Sequence, residues 1–447
     1  MRTGLNRKNN YSDSGRSVAS GSRSAPDASR PGHRRRPGWR QIKRKLRELP
    51  GMTVLRKIMG KLKFDTDVSP GVDLTIPGSL YSVERNRTRK RFLLALLILF
   101  LMVFIYLSFR TTVIAFLPPW TTAANLFTWI RLNVGELFHL SYYNDRRSII
   151  AAHPCYLETT TRLTGALSIV AMGAAMSVAG VVFQSVFRNP IAVPTMLGVS
   201  SGINIGNFIL VLQYNVTAAS MTQERFIYGY IGSLLILFLV MGVSRLTTRD
   251  GSWAIIDVLL IGTTLTRLIT QIISSIQTTF LDDFTIQLIS EMNMYGAGLG
   301  NARGWIFLAL ALVFGLGPIL LMRNSLNVVT FSEEESRVMG LNTNVMRVLA
   351  LVFSTILITA AQIYCGEVGM LALLVPHTCR YLFGSNTRDL IFSSMIVGGI
   401  MMIICRFIVA LTMFNQYLSM ISVGMIINVI SIPLMMFILL TQKRGWE

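Results

Sequence analysis

Residues 173–206 read GAAMSVAGVVFQSVFRNPIAVPTMLGVSSGINIG. The stretch is apolar enough for a bilayer, yet it holds two prolines, five glycines and an Arg-Asn-Pro at its centre. A simple spanning helix needs none of these. Backbone released from helical bonding at membrane depth is tolerated only where protein or a water-filled cavity covers it. Interrupted segments of this kind point to permeation paths. The stretch therefore predicts two spans joined by a broken segment, with Arg188, Asn189, Pro190, Pro194 and Gly198 as a candidate gate.

Composition widens this to the whole chain. Of 447 residues, 52% are hydrophobic and 14% charged, and the mean hydropathy is +0.52. A soluble domain carries about 25% charge. The class is an all-α polytopic membrane protein. Its net charge of +20 is uneven: residues 1–91 hold 23 Lys/Arg against 7 Asp/Glu, and the remaining 356 hold 19 against 15. Residues 1–38, rich in Ser, Gly, Arg and Pro, bury too little apolar surface to offset ordering entropy and are expected to be disordered. The segment 39–91 sets Ile42, Leu46 and Leu49, then Val54, Leu55, Ile58, Met59 and Leu62, at helical spacing among lysines and arginines. Such a basic amphipathic segment suits an anionic lipid surface, although charge alone could tether the tail. No folded nucleic-acid module surrounds the arginines, so nucleic acid is not expected as a partner.

Apolar runs counted at about 20 residues per span give ten, at 92–109, 163–183, 198–213, 227–244, 254–279, 304–322, 346–364, 367–383, 390–411 and 420–440. Those at 198–213 and 367–383 are short. The spans form a domain over 92–440, followed by a tail at 441–447. Short-loop cations sort to one side: Arg188, Arg245, Arg249, Arg323, Arg337, Arg347, Arg380, Arg388, Lys443 and Arg444 share it with the basic tail. Both termini are then cytoplasmic, while Arg225 and Arg303 fall in outer turns.

Three further features carry chemistry. In the second span Gly173, Ser177 and Gly180 share a helix face, a device for close helix packing that recurs at Gly198, Gly202 and Gly206. In the fifth span Thr264, Arg267, Gln271, Ser274 and Thr278 form one polar stripe. An arginine near a span centre costs about 2.5–3.5 kcal/mol on insertion scales. It should face a wet path, or else pair with Asp257 or Asp282. In the connector 323–345, Ser332 followed by Glu333, Glu334 and Glu335 reads as an N-cap with acids in the first helical turn, and Gly340 supplies the stop. This helix is a docking surface for a cytoplasmic partner or an ordinary capped connector.

Other chemistry is excluded or weak. No GxxxxGK[ST] phosphate loop occurs, so ATP is not cradled in that way. Cys155, Cys365, Cys379 and Cys405 show no CxxC pairing, and the four histidines are scattered, so no metal site is expected. A gradient-driven transporter needs intramembrane acids, and only Asp257 and Glu367 come close, both near span ends. A membrane scaffold with a lipid-binding tail is the remaining alternative.

Three segments together resemble the permease family of ABC importers for iron–siderophores, haem and vitamin B12, often called the FecCD family. They are 173–202, LNVVTFSEEESRVMGLN at 326–342, and GEVGMLALLVPHTCRYLFGSNTRDL at 366–390. The resemblance implies a ten-span subunit that pairs with an identical or paralogous second permease around a central path. It implies an extracytoplasmic substrate-binding protein, and separate ATPase subunits that bind the ATP and Mg, so that this chain holds no cofactor and is no enzyme. It implies a bacterial cell membrane location. The family's coupling helix usually reads Gly-Glu-Glu-x-x-Arg-x-x-Gly; Glu333, Glu334, Arg337 and Gly340 match, with Ser332 for the first glycine. His377 matches a structural helix-start residue. Arg162 and Arg406 match cations that meet the binding protein, though Arg162-Leu163-Thr164-Gly165 lacks the usual proline and second arginine. Met402 stands where an aspartate is usual.

Overall fold

A computed structural model describes residues 77–110, 115–137, 155–214, 222–247, 255–295, 302–331, 333–412 and 421–441. The basic tail, the amphipathic segment up to residue 76, the C-terminal residues 442–447 and Ser332 lie outside the described residues.

The described chain is helical apart from a two-residue antiparallel pairing of Phe109–Arg110 with Ala115–Phe116. In order come α1 (Pro77–Ser108), α2 (Pro119–Leu137), α3 (Cys155–Val186), α4 (Val199–Tyr214), α5 (Thr222–Thr247), α6 (Ile255–Phe280) and α7 (Asp283–Tyr295). Then follow α8 (Ala302–Ala311), a π turn (Leu312–Leu316), α9 (Gly317–Leu321), α10 (Arg323–Val329) and α11 (Glu333–Val338). The last four are α12 (Thr343–Cys365), α13 (Leu371–Phe383), α14 (Thr387–Thr412) and α15 (Val423–Thr441).

All ten apolar runs are helical. Among the described residues six helices are long and apolar enough to cross a membrane, and a seventh crossing arises if the pair Trp305–Leu321 and Arg323–Val329, bent by 60°, is one span. Two of the others are short for local reasons. α4 has 16 residues because Pro194 and Gly198 delay its start. α13 has 13, bracketed by Gly366 and Gly384 in left-handed conformations. The tenth run is α15, 19 residues long with Pro433 inside it. Two helices, α2 and α7, arise where the apolar count shows only connecting segments.

α3 is the central post: 83% of its spanning window is buried. Its small-residue face works as the spacing predicts. A methyl group on Gly180 would overlap the Ala372 backbone of α13, and one on Gly173 would overlap the Gly398 backbone of α14. Close backbone approach substitutes for the hydrophobic drive that helices lack in lipid. The second small-residue face joins α4 to α5, where a Cβ on Gly202 would lie 2.5 Å from the Gly232 carbonyl oxygen. By contrast α1 leaves Leu93, Leu97, Phe100 and Leu101 exposed, as a lipid-facing helix must.

Candidate functional site

The broken segment follows from its prolines. Pro190 disfavours helical backbone at Asn189, so α3 stops and the chain turns. Arg188 adopts φ 47°, the left-handed region that non-glycine residues rarely occupy. The Asn189 side chain accepts the Ile191 N–H at 2.9 Å, a local turn that replaces helical bonding. Pro194 opens a single 3-10 turn to Leu197, and Gly198 at φ 79° closes it before α4 begins. Three side chains hold this segment. Arg188 Nε donates to the Val329 carbonyl at 3.1 Å, Arg380 donates to Gln184 Oε1 at the end of α3, and the His377 ring lies beside the backbone of Pro190. His377 is buried and lies inside α13 rather than at a helix start.

Two cavities adjoin the broken segment and share Thr195, Asn293 and Glu367. The larger, about 610 Å³, lies beside Ile191, Val193 and Met196 of the break and reaches Ser422, Met425 and Asn428 at the start of α15. The smaller, about 280 Å³, is lined by polar residues of α4, α5, α6 and α7, together with Gln362 of α12. Glu367 is thus a cavity-wall carboxylate.

The fifth-span stripe sits elsewhere. Thr264, Arg267, Gln271, Ser274 and Thr278 are all exposed on α6 and line neither cavity. The cavity-lining residues of that helix are Thr266 and Thr270. Thr264 and Thr278 turn their hydroxyls onto helical carbonyls of the preceding turn, at 2.9 and 3.0 Å, which satisfies them without a partner helix. Only 11% of the α6 spanning window is buried, the least of any long span.

Sequence reasoning overlooked a polar cluster around a buried arginine. α5 begins at Thr222, so Arg225 lies within its first turn, 2% exposed, rather than in an outer turn. Its Nε donates to Asn207 at 3.2 Å and its Nη2 to the Met292 carbonyl. The available signal was Ser200, Asn204 and Asn207, spaced i, i+4, i+7 along α4 next to the glycine face.

The surface helix forms as α11. Glu333 Oε1 pairs with Arg347 Nη1 at 2.6 Å, and that arginine side chain is 3% exposed. Ser336, fully buried, donates to the Val328 carbonyl at 3.0 Å. Glu334 and Glu335 are exposed, and Gly340 ends the turn at φ 79°. Arg188 belongs to the same electrostatic group. Partial burial and the Arg347 guanidinium depress its pKa, while Glu333 and Glu335 oppose that shift. Arg188 on the Val329 carbonyl and Ser336 on the Val328 carbonyl tie the broken segment and the surface helix to the same end of α10. Of the remaining motif residues, Ser332 and the side chain of Arg337 lie outside what is described.

Arg162 is committed internally. It bonds the Phe109 carbonyl at 2.7 Å and pairs with Glu158 at 3.0 Å, which ties α3 to the end of α1. Phe109 packs on Phe407 with centroids 5.2 Å apart, so Arg162 and Arg406 share one end of the bundle. Arg406 is partly buried in α14, near Cys365.

Broken helices around polar cavities define a membrane transport subunit as the class of protein. The model of the FecCD transport family matches residues 121–441, and the chain belongs to that family. Its members are permease subunits of ABC transporters and have no ATPase site of their own. The chain is 27% identical over 286 residues to the probable iron chelatin transport system permease protein of Helicobacter pylori, covering 64% of this chain and 82% of that one. It is 26% identical over 290 residues to the iron-uptake system permease protein FeuB of Bacillus subtilis, covering 64% and 82%. It is 27% identical over 290 residues to the hemin transport system permease protein HmuU of Yersinia pestis, covering 63% and 83%. A solved structure described as an inward-facing ABC transporter of the metal-chelate type superposes with a TM-score of 0.61 at 20% identity, covering 79% of this chain and all of that one. It is similar in fold.

Proposed function

We propose that this chain imports a ferric siderophore or related ferric chelate as one of two permeases in a binding-protein-dependent complex of the bacterial inner membrane. Iron-chelate and hemin names among the relatives support the cargo class. Both termini are cytoplasmic, and ATP is bound and hydrolysed by partner subunits. The observation that carries the proposal is the polar stripe of α6, exposed on the span that buries least of its surface within the subunit. Left facing lipid, Arg267 and Gln271 would be costly; facing a second permease, the stripe lines a wet path between the two subunits, and Arg267 suits an anionic chelate. Glu334, exposed on α11, meets the ATPase, while Glu333 braces the helix through Arg347. Ser332, Arg337 and Gly340 are the remaining motif positions of that coupling element. Arg188 to Gly198 form the gate that moves against its neighbours. Arg406, with Arg162 shaping the same end, faces the binding protein.

Radiolabelled iron-chelate uptake into proteoliposomes holding the chain with its ATPase and binding protein is the test. Uptake should require ATP inside and fall at least tenfold in Glu333→Ala/Glu334→Ala. Uptake that survives this double change removes the coupling claim; uptake collapsed by a protonophore with ATP constant replaces the proposal with gradient-driven transport.

A further inference from the structure

The smaller cavity lies inside a single subunit, and its chemistry differs from that of the path between subunits. Arg225 is buried among α4, α5 and α7 with no carboxylate within ion-pair distance among the described residues. Two of its three nitrogens are bonded to protein. Nη1 has no protein acceptor among the described residues, and Arg225 lines the cavity.

The guanidinium also orients three asparagines. Arginine can only donate, so Asn207 must present Oδ1 to it. Asn207 Nδ2 then donates to Asn293 Oδ1 at 2.7 Å, and Asn293 Nδ2 donates to Asn204 Oδ1 at 2.9 Å. Every amide in this row turns its oxygen toward Arg225. The row ends at Asn204 Nδ2, which has no protein acceptor among the described residues, on the wall of the same cavity. Hydrogen bonds aligned in series polarise one another, so the positive charge is felt at both ends of the row. A buried guanidinium without a counter-charge is unfavourable, and one acceptor-only group between the two ends would satisfy both.

The geometry points to a binding site for a small monoanionic carboxylate, held by Arg225 and Asn204 inside the subunit. Glu367 on the same wall opposes a second negative charge, which disfavours phosphate or sulfate. The volume of about 280 Å³ equals that of roughly nine waters. It admits a carboxylate and its hydration but not a whole metal chelate. The Gln362 amide, whose Nε2 donates to the Ser200 hydroxyl at 2.9 Å, and the hydroxyl pair of Ser201 with Thr270 at 2.8 Å complete a polar lining. The carboxylate comes either free from solution or as a single arm of a larger molecule lodged in the adjoining cavity. The site does not depend on the proposed cargo, because binding needs neither ATPase nor transport.

The test uses the full-length chain in lipid nanodiscs, at ionic strength held constant with sodium sulfate. Acetate is the free probe and ferric citrate the tethered one; the readout is the unfolding temperature. The expected result is a saturable rise with acetate. Losing one charge-reinforced donor weakens apparent affinity about tenfold, so Asn204→Leu should shift the acetate curve by that amount, and Arg225→Gln should abolish it. If Arg225→Gln does not fold, Asn204→Leu, at a partly exposed position, decides alone. A rise with ferric citrate only, equally sensitive to Asn204→Leu, identifies the carboxylate as an arm of a larger molecule. No saturable rise with either probe, or one unchanged in Asn204→Leu, overturns the site.

Discussion

Arg225 and Arg267 are both arginines within spanning helices of one bundle, and they meet opposite environments. Arg225 is 2% exposed, with its hydrogen bonds running into neighbouring helices. Arg267 is exposed on the least buried span. The first is built into a subunit; the second awaits a surface that the subunit does not supply. A charge in an apolar helix therefore says little about its task until the helix's neighbours are known.

Substitutions can break or sharpen that contrast. Arg225→Met strands two buried acceptors, Asn207 Oδ1 and the Met292 carbonyl, and should cost about 3 kcal/mol of unfolding free energy. A loss below about 1 kcal/mol by denaturant titration would erase the distinction. Glu333→Gln leaves the buried Arg347 guanidinium without its charge partner. Because Glu333 is about a third exposed, water offsets part of the loss, and about 1–2 kcal/mol is expected by the same measurement. At Arg188 two effects oppose each other. Arg188→Ala removes the bond to Val329 but keeps the left-handed strain, costing about 1 kcal/mol; Arg188→Gly removes both and should be nearly neutral. Arg267→Met should change stability by less than about 0.5 kcal/mol, as exposed sites do, while lowering chelate uptake about tenfold. A large stability loss there would make Arg267 a second structural arginine.

What was legible in the sequence tracks how local the cause is. The break at 187–198 was visible because proline and glycine act on their own backbone and their nearest neighbours. The glycine faces of α3 and α4 were visible because helical spacing suffices to define them. Arg225 was hidden for a simple reason. An apolar count starts the span at 227, whereas the helix begins five residues earlier with a polar first turn, Gln223 and Glu224. Asn293 could not be found by any local rule. It lies on a separate 13-residue helix and meets Asn204 and Asn207 across 89 and 86 positions. The role implied for Arg162 illustrates the reverse: a motif position was recognised, but the side chain is tied to Phe109 and Glu158 within the subunit.

The π turn at Leu312–Leu316 carries a length consequence of its own. A π turn holds one residue more than the α-helical path it replaces. Removing Phe314 should let the helix run straight through and leave everything downstream facing as before. The same deletion in an unbroken span such as α12 would rotate all later side chains by about 100°. Shortening tolerated at Phe314 and refused in α12 would identify the turn as a splice in the helix, a place where chain length can change without reorienting the connector that follows.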